Sequence, residues 1–170
     1  MGEMIKVGMA DLNVAKAPDS LTTLGLGSCI GLTLYDPVAK VGGMVHYMLP
    51  DSTKLKNNIN IAKFGDTGIR ELLKQVLALG ANQRRLVAKI AGGACMFEMS
   101  GLSSVGHVGE RNEEEAKLVL KDLKIPLVHR IQGLIMEERL FWIVRPVILQ
   151  LNRWESRSKS FEGMRHNEDK

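Results

Sequence analysis

Residues 22–37, TTLGLGSCIGLTLYDP, carry the pattern on which the fold turns. Ile30, Leu32 and Leu34 alternate with Gly31 and Thr33, the period-two pattern of a strand with one buried face. Asp36 and Pro37 then signal a turn, and residues 41–49 resume a similar pattern, so the two runs are expected to form a β-hairpin. In front of the first strand stand Gly25, Gly27, Ser28 and Cys29. Glycine carries no Cβ, so another backbone or a substrate can come close there. The segment reads as an approach to a thiol.

A four-residue loop over residues 36–39 sets Tyr35 opposite Lys40. Leu34 then faces Val41, Leu32 faces Gly43 and Ile30 faces Val45, so one face of the hairpin is wholly apolar or glycine. The same register sets Cys29 opposite His46 on the other face, with Cβ atoms about 4.5–5.5 Å apart. An imidazolium at that distance stabilises the thiolate, the nucleophilic form. The pair is therefore a candidate nucleophile and base. Taken singly, each residue has a plainer reading: a buried cysteine is a small hydrophobe, and a histidine at a strand end can simply be hydrogen-bonded. A β-bulge, or a loop longer by one residue, puts the two on opposite faces.

With 170 residues the chain suits one domain around a single core. Hydrophobic residues make up 45% and charged residues 25%, the composition of a soluble α/β protein. The net charge of +4 comes from scattered lysines and arginines, without a basic stripe interleaved with aromatics, which argues against nucleic acid as a partner. No apolar run approaches the ~20 residues of a membrane span. The N-terminal segment also lacks the charged-then-apolar layout of a signal peptide, so a cytoplasmic location without membrane insertion is expected.

The two cysteines, Cys29 and Cys95, are too few for a disulfide framework and are expected as thiols. Cys95 also follows a glycine pair, and His107 is a conceivable partner, but no register joins them and a filler role is the better reading. No metal is expected, because there is no CxxC pair and no closely spaced histidines. No cofactor is expected either: the GLGS stretch precedes a strand and does not open a helix, as an anion-binding loop does.

Elsewhere, residues 4–16 alternate loosely as an edge strand, followed by a turn at residues 17–19. Phe64, Ile69, Leu72, Leu73, Val76 and Leu77 predict an amphipathic helix over residues 60–79, stopped by Gly80. Residues 86–91 read as a buried strand running into a glycine pair. Asn112, with Glu115 three residues on, resembles a capping box and predicts a helix to about Lys124, with Glu113 and Glu114 favourably placed in its first turn. Pro126 breaks that helix before a strand beginning PLVH. The alternation of elements predicts an α/β or α+β architecture on one mixed sheet.

Four separated motifs, TTLGLGSCIGLTLYDP, GGMVHYMLPDS, KIAGGACMF and VGERN, closely resemble in order and spacing those of the CheD family, the chemoreceptor glutamine deamidases of bacterial and archaeal chemotaxis. The resemblance implies an α/β sandwich with a catalytic hairpin, similar to the deamidase domain of cytotoxic necrotizing factors. It implies that Cys29 and His46 are catalytic, that Thr23 completes a triad, and that backbone N–H groups near Ser28 and Cys29 stabilise an oxyanion. Gly25 and Gly27 then let a protein substrate lie close to the thiol. The implied substrates are glutamine side chains of methyl-accepting chemotaxis receptors, hydrolysed through a thioester with release of ammonia. The resemblance also supports a second role, docking and stimulating the CheC phosphatase. A thiol protease or transglutaminase is a third reading.

The resemblance covers residues 5 to about 128 and then stops, dividing the chain into a deamidase domain, 1–128, and a divergent tail, 129–170. Fifteen of the 17 glycines precede residue 129, whereas both tryptophans, Trp142 and Trp154, follow it. Back-translation in a shifted frame recovers the family's glycine-rich spacing. The codons of Met136 and Glu137 must then give glycine, and those of Trp142 and Ile143 must give aspartate. A one-base frameshift near codon 129 accounts for the tail, which is then expected to pack poorly against the core.

Overall fold

A computed structural model describes residues 2–56, 59–94, 107–132 and 140–143. Its strands are β1 (Met4–Lys6), β2 (Asp11–Lys16), β3 (Ser20–Thr23), β4 (Ile30–Asp36), β5 (Val41–Tyr47), β6 (Val87–Gly92), β7 (Leu127–Gln132) and β8 (Leu140–Ile143). Two helices, α1 (Gly65–Ala78) and α2 (Val108–Asp122), complete the frame. A five-stranded sheet runs in the order β2-β5-β4-β6-β7, antiparallel except for the β6–β7 pair. A smaller sheet, β1-β3-β8, has β1 parallel and β8 antiparallel to β3.

The alternation in the hairpin explains the layering. Ile30, Leu32, Leu34 and Val45 turn to one side, where they are buried with Ile69, Leu72 and Val76 of α1 and Ala116, Val119 and Leu120 of α2. Met44 faces the other way and packs with Val7, Ala15 and Leu21 beneath the small sheet. The large sheet is thus covered by helices on one face and by a second sheet on the other. This is the expected α/β sandwich on a mixed sheet.

The hairpin register differs from the expected one by two residues. Asp36 pairs with Val41, Leu32 with Val45 and Ile30 with Tyr47, and the loop is residues 37–40. Asp36 is the last residue of β4 and not the first of the turn. Its carboxylate accepts from the N–H groups of Val38 and Ala39 at 2.9 and 3.1 Å, closing the turn from within the strand, while Lys40 takes the left-handed conformation at φ 55°. A shift of two leaves every side chain on its expected face. It does move the partners: His46 stands opposite Gly31, and Cys29 lies one residue before the ladder begins. The direct Cys29–His46 cross-strand pair is therefore corrected: the ladder pairs His46 with Gly31 and does not include Cys29.

Other boundaries move for local reasons. The single strand expected over residues 4–16 is two strands in different sheets, separated by a turn in which Ala10 has φ 54°. The first helix begins at Gly65 because Phe64, at ψ 144°, bridges to Leu49; residues 61–63 form a separate 3-10 turn. The second helix begins at Val108, so Asn112 and Glu115 lie inside it and the expected capping box is absent. The strand β7 crosses the boundary drawn at residue 128, pairing with β6, and β8 pairs with β3. Residues 144–170, on which most of the tail expectation falls, lie outside the described residues, as does Cys95. Among the described residues no helix is long and apolar enough to cross a membrane.

Candidate active site

Thr23 of the small sheet and His46 of the large one meet where the two sheets face each other. Thr23 ends β3, His46 is the sixth residue of β5, and Cys29 closes the loop between β3 and β4. Thr23 and His46 are fully buried and Cys29 is 8% exposed.

The Thr23 hydroxyl fixes the histidine. Its oxygen lies 2.8 Å from His46 Nδ1, and its hydrogen is donated to the Val7 carbonyl, also at 2.8 Å. A hydroxyl has one hydrogen, so with that hydrogen on Val7 the Nδ1 atom must be the donor to Thr23. A neutral imidazole protonated at Nδ1 has its lone pair on Nε2. That atom is buried and has no hydrogen-bond partner among the described residues. Burial holds the imidazole below its usual basicity, so it is neutral near pH 7. The result is a buried base with one nitrogen locked and the other open.

The thiol is set by backbone. Gly25 and Gly27 have φ of 70° and 44°, which turns the loop, and the Cys29 N–H is donated to the Leu26 carbonyl at 2.6 Å. That N–H is thus occupied in this structure. Beyond the thiol, the Cys29 carbonyl accepts from Gly93 N–H at 3.0 Å, and the Gly27 carbonyl accepts from Ala94 N–H at 2.9 Å. A Cβ on Gly92 would stand 2.2 Å from the Cys29 carbonyl oxygen, so a glycine there is required for β6 to hold the Cys29 loop this closely.

Burial pushes the Cys29 thiol up from its ordinary value, the reverse of the depression expected from a neighbouring imidazolium. Thiol and imidazole are both neutral in the free protein, and Nε2 makes no hydrogen bond to the sulfur. The arrangement suits general-base catalysis, in which a proton leaves sulfur as the sulfur attacks. His107, the conceivable partner of Cys95, is exposed and 3.0 Å from Glu110 Oε2. Two participants in the geometry were not legible from motif: the Val7 carbonyl, for which there is no side-chain signal, and Asn112. The Nδ2 of Asn112 donates to the carbonyls of Ser28 and Met48, each at 2.9 Å.

A family described as CheD chemotactic sensory transduction matches residues 48–135. A protein of Lachnoclostridium phytofermentans named "Probable chemoreceptor glutamine deamidase CheD" is 64% identical over 134 residues, 79% of this chain and 83% of that one. One of the same name from Caldanaerobacter subterraneus subsp. tengcongensis is 53% identical over 126 residues, 74% of this chain and 78% of that one. Among solved structures, a Neisseria meningitidis protein of family DUF152 overlays with a TM-score of 0.46 at 11% identity, over 78% of this chain and 64% of that one.

Proposed function

The chain belongs to the CheD family, and on that premise we propose that it is a chemoreceptor glutamine deamidase in which Cys29 is the nucleophile, His46 the base and Thr23 the orienting residue. The observation that carries this reading is the state of His46, whose Nδ1 is held by Thr23 while its buried Nε2 is left open. Buried polar atoms are nearly always paired; of the two that have no partner among the described residues, the Asn112 amide oxygen and His46 Nε2, only the imidazole nitrogen is basic enough to take a proton from a thiol.

The reaction starts from two neutral groups. As Cys29 Sγ bonds to the carboxamide carbon of a receptor glutamine, His46 Nε2 takes the thiol proton and the carbonyl electron pair moves to oxygen. The backbone N–H of Ser28 serves that oxyanion. The imidazolium then protonates the departing nitrogen, the C–N bond breaks, and ammonia leaves a thioester. Water, deprotonated by Nε2, cleaves the C–S bond to give glutamate and restores the thiol. The bond from Nδ1 to Thr23 keeps the ring from turning between these two proton transfers. The turned backbone at Gly25 and Gly27 forms the approach for a protein chain, and a cytoplasmic location gives access to the receptors' cytoplasmic helices.

Co-expression with a chemoreceptor tests the reading. Mass spectrometry is expected to find glutamines converted to glutamate with the native chain and none with Cys29→Ala or His46→Ala, both of which remain folded. Conversion at the native level by Cys29→Ala excludes the assignment. CheC docking is the second activity the family resemblance supports, and it survives Cys29→Ala if it is carried by a separate surface. For residues 129–170 we propose a frameshifted tail on a deamidase domain of residues 1–128; the nucleotide sequence after codon 129 decides this.

A further inference from the structure

The asparagine of the VGERN motif, beyond its place in a helix, joins the two halves of the site through its side chain. Asn112 is fully buried in the second turn of α2. Its two amide hydrogens go to the carbonyl of Ser28, the residue before the nucleophile, and to the carbonyl of Met48, two residues after His46. A single NH2 group thus ties the loop that carries sulfur to the end of the strand that carries the base. The asparagine is itself held from behind: Tyr47 Oη donates to the Asn112 backbone carbonyl at 2.6 Å. The helix sits close enough to do this because Gly109 packs against the nucleophile's other support, where a Cβ would meet the Ala94 carbonyl oxygen at 2.5 Å.

We propose that Asn112 is a positioning residue for deamidation, setting the separation between Cys29 Sγ and His46 Nε2. The inference rests on the Cys29–His46 reading above. Sulfur and Nε2 are not hydrogen-bonded in the free protein, so their alignment depends on the backbones that carry them. Only a donor of two hydrogens fits this place: aspartate has the same shape but turns an acceptor toward two carbonyls, and leucine has nearly the same shape but offers nothing. A misplacement on the scale of 1 Å can cost about 10²-fold in rate without weakening substrate binding.

The test compares Asn112→Asp and Asn112→Leu with the native chain, measuring kcat and KM for receptor deamidation, with kcat expressed per folded molecule. Both variants are expected to lose about 10²-fold in kcat while KM changes by less than about 3-fold. A purely structural defect lowers the folded fraction and leaves kcat per folded molecule alone. Should the aspartate variant not fold, leucine, which an apolar core tolerates, decides the matter by itself. Native kcat in either folded variant overturns the proposal, as does a rise in KM at constant kcat. Cys29→Ala measured alongside keeps the two ideas apart: activity there refutes the nucleophile, whereas inactivity there with native kcat in Asn112→Leu refutes only the role of Asn112.

Discussion

The two ends of one hairpin bury polar groups in opposite ways. At the turn, the Asp36 carboxylate is fully buried and answered from all sides, by Val38, Ala39 and Asn82 N–H groups and by two nitrogens of Arg85. At the other end, His46 is as deeply buried, yet Nε2 has no partner. The Arg85 guanidinium beside Asp36 holds its carboxyl well below the usual carboxylate range, whereas nothing offsets burial at His46 and its basicity falls. A satisfied buried group stabilises the fold; an unsatisfied one costs stability and is available for chemistry. The same two strands therefore hold a structural centre and the proposed reactive one, about five residues apart along β5.

Removing the lock on the open end gives the larger effect. Thr23→Val keeps the shape of the side chain but takes away both the acceptor for Nδ1–H and the donor to Val7, so kcat is expected to fall by roughly 10–100-fold, the usual cost of losing an orienting partner. The buried Val7 carbonyl and Nδ1–H lose their partner as well, so stability should fall by roughly 1–3 kcal/mol, and kcat per folded molecule separates the two effects. If Thr23→Val keeps native kcat, the histidine needs no lock and the contrast between the two ends is weaker than drawn.

At the satisfied end the effect is on stability alone. Asp36→Ala leaves several N–H groups without an acceptor and should destabilise by roughly 3 kcal/mol, with kcat per folded molecule unchanged. Because the folded carboxyl is more acidic than the unfolded one, its contribution is complete above the ordinary carboxylate value of about 3.9 and is lost as pH falls below it. Acid unfolding curves of native and variant chains should therefore converge at low pH. Parallel curves throughout would remove Asp36 from the account.

The smallest expected effect is a displacement of a titration. With the thiol raised by burial, iodoacetamide should alkylate Cys29 with a midpoint above that of an ordinary thiol, and His46→Ala should leave that midpoint nearly unmoved, since the imidazole is already neutral there. The acid limb of kcat/KM should correspondingly lie below the ordinary imidazole range, where His46 takes up its proton. A thiol that alkylates rapidly below pH 8 in the native chain but not in His46→Ala would restore the thiolate–imidazolium pair and erase the neutral resting state.

Much of this was legible in local pattern. The alternation of Ile30, Leu32 and Leu34 marks the buried face, and because a register error of two preserves faces, the strand residues keep their expected sides despite it. The error itself arose from Asp36, a residue type that marks turns by its preference for bonding nearby N–H groups. Here it does so from the last position of the strand. Asn112 misled for a related reason: an asparagine three before a glutamate is the pattern of a cap, but its amide is committed to carbonyls 84 and 64 residues away, which no local window contains. Thr23 belongs to the other sheet, so only its family resemblance pointed to it, and the Val7 carbonyl that determines the tautomer leaves no trace in residue type.

Those same long separations bear on when the enzyme becomes an enzyme. The hairpin is synthesised early and is joined by a four-residue loop, so it is among the first contacts that can form as the chain leaves the ribosome, whereas ties spanning 84 and 64 residues close late. A nascent chain that has not yet extruded α2 carries its sulfur and its imidazole without the helix that aligns them. With Asn112 in the proposed positioning role, it is catalytic alignment that waits for the completion of the fold.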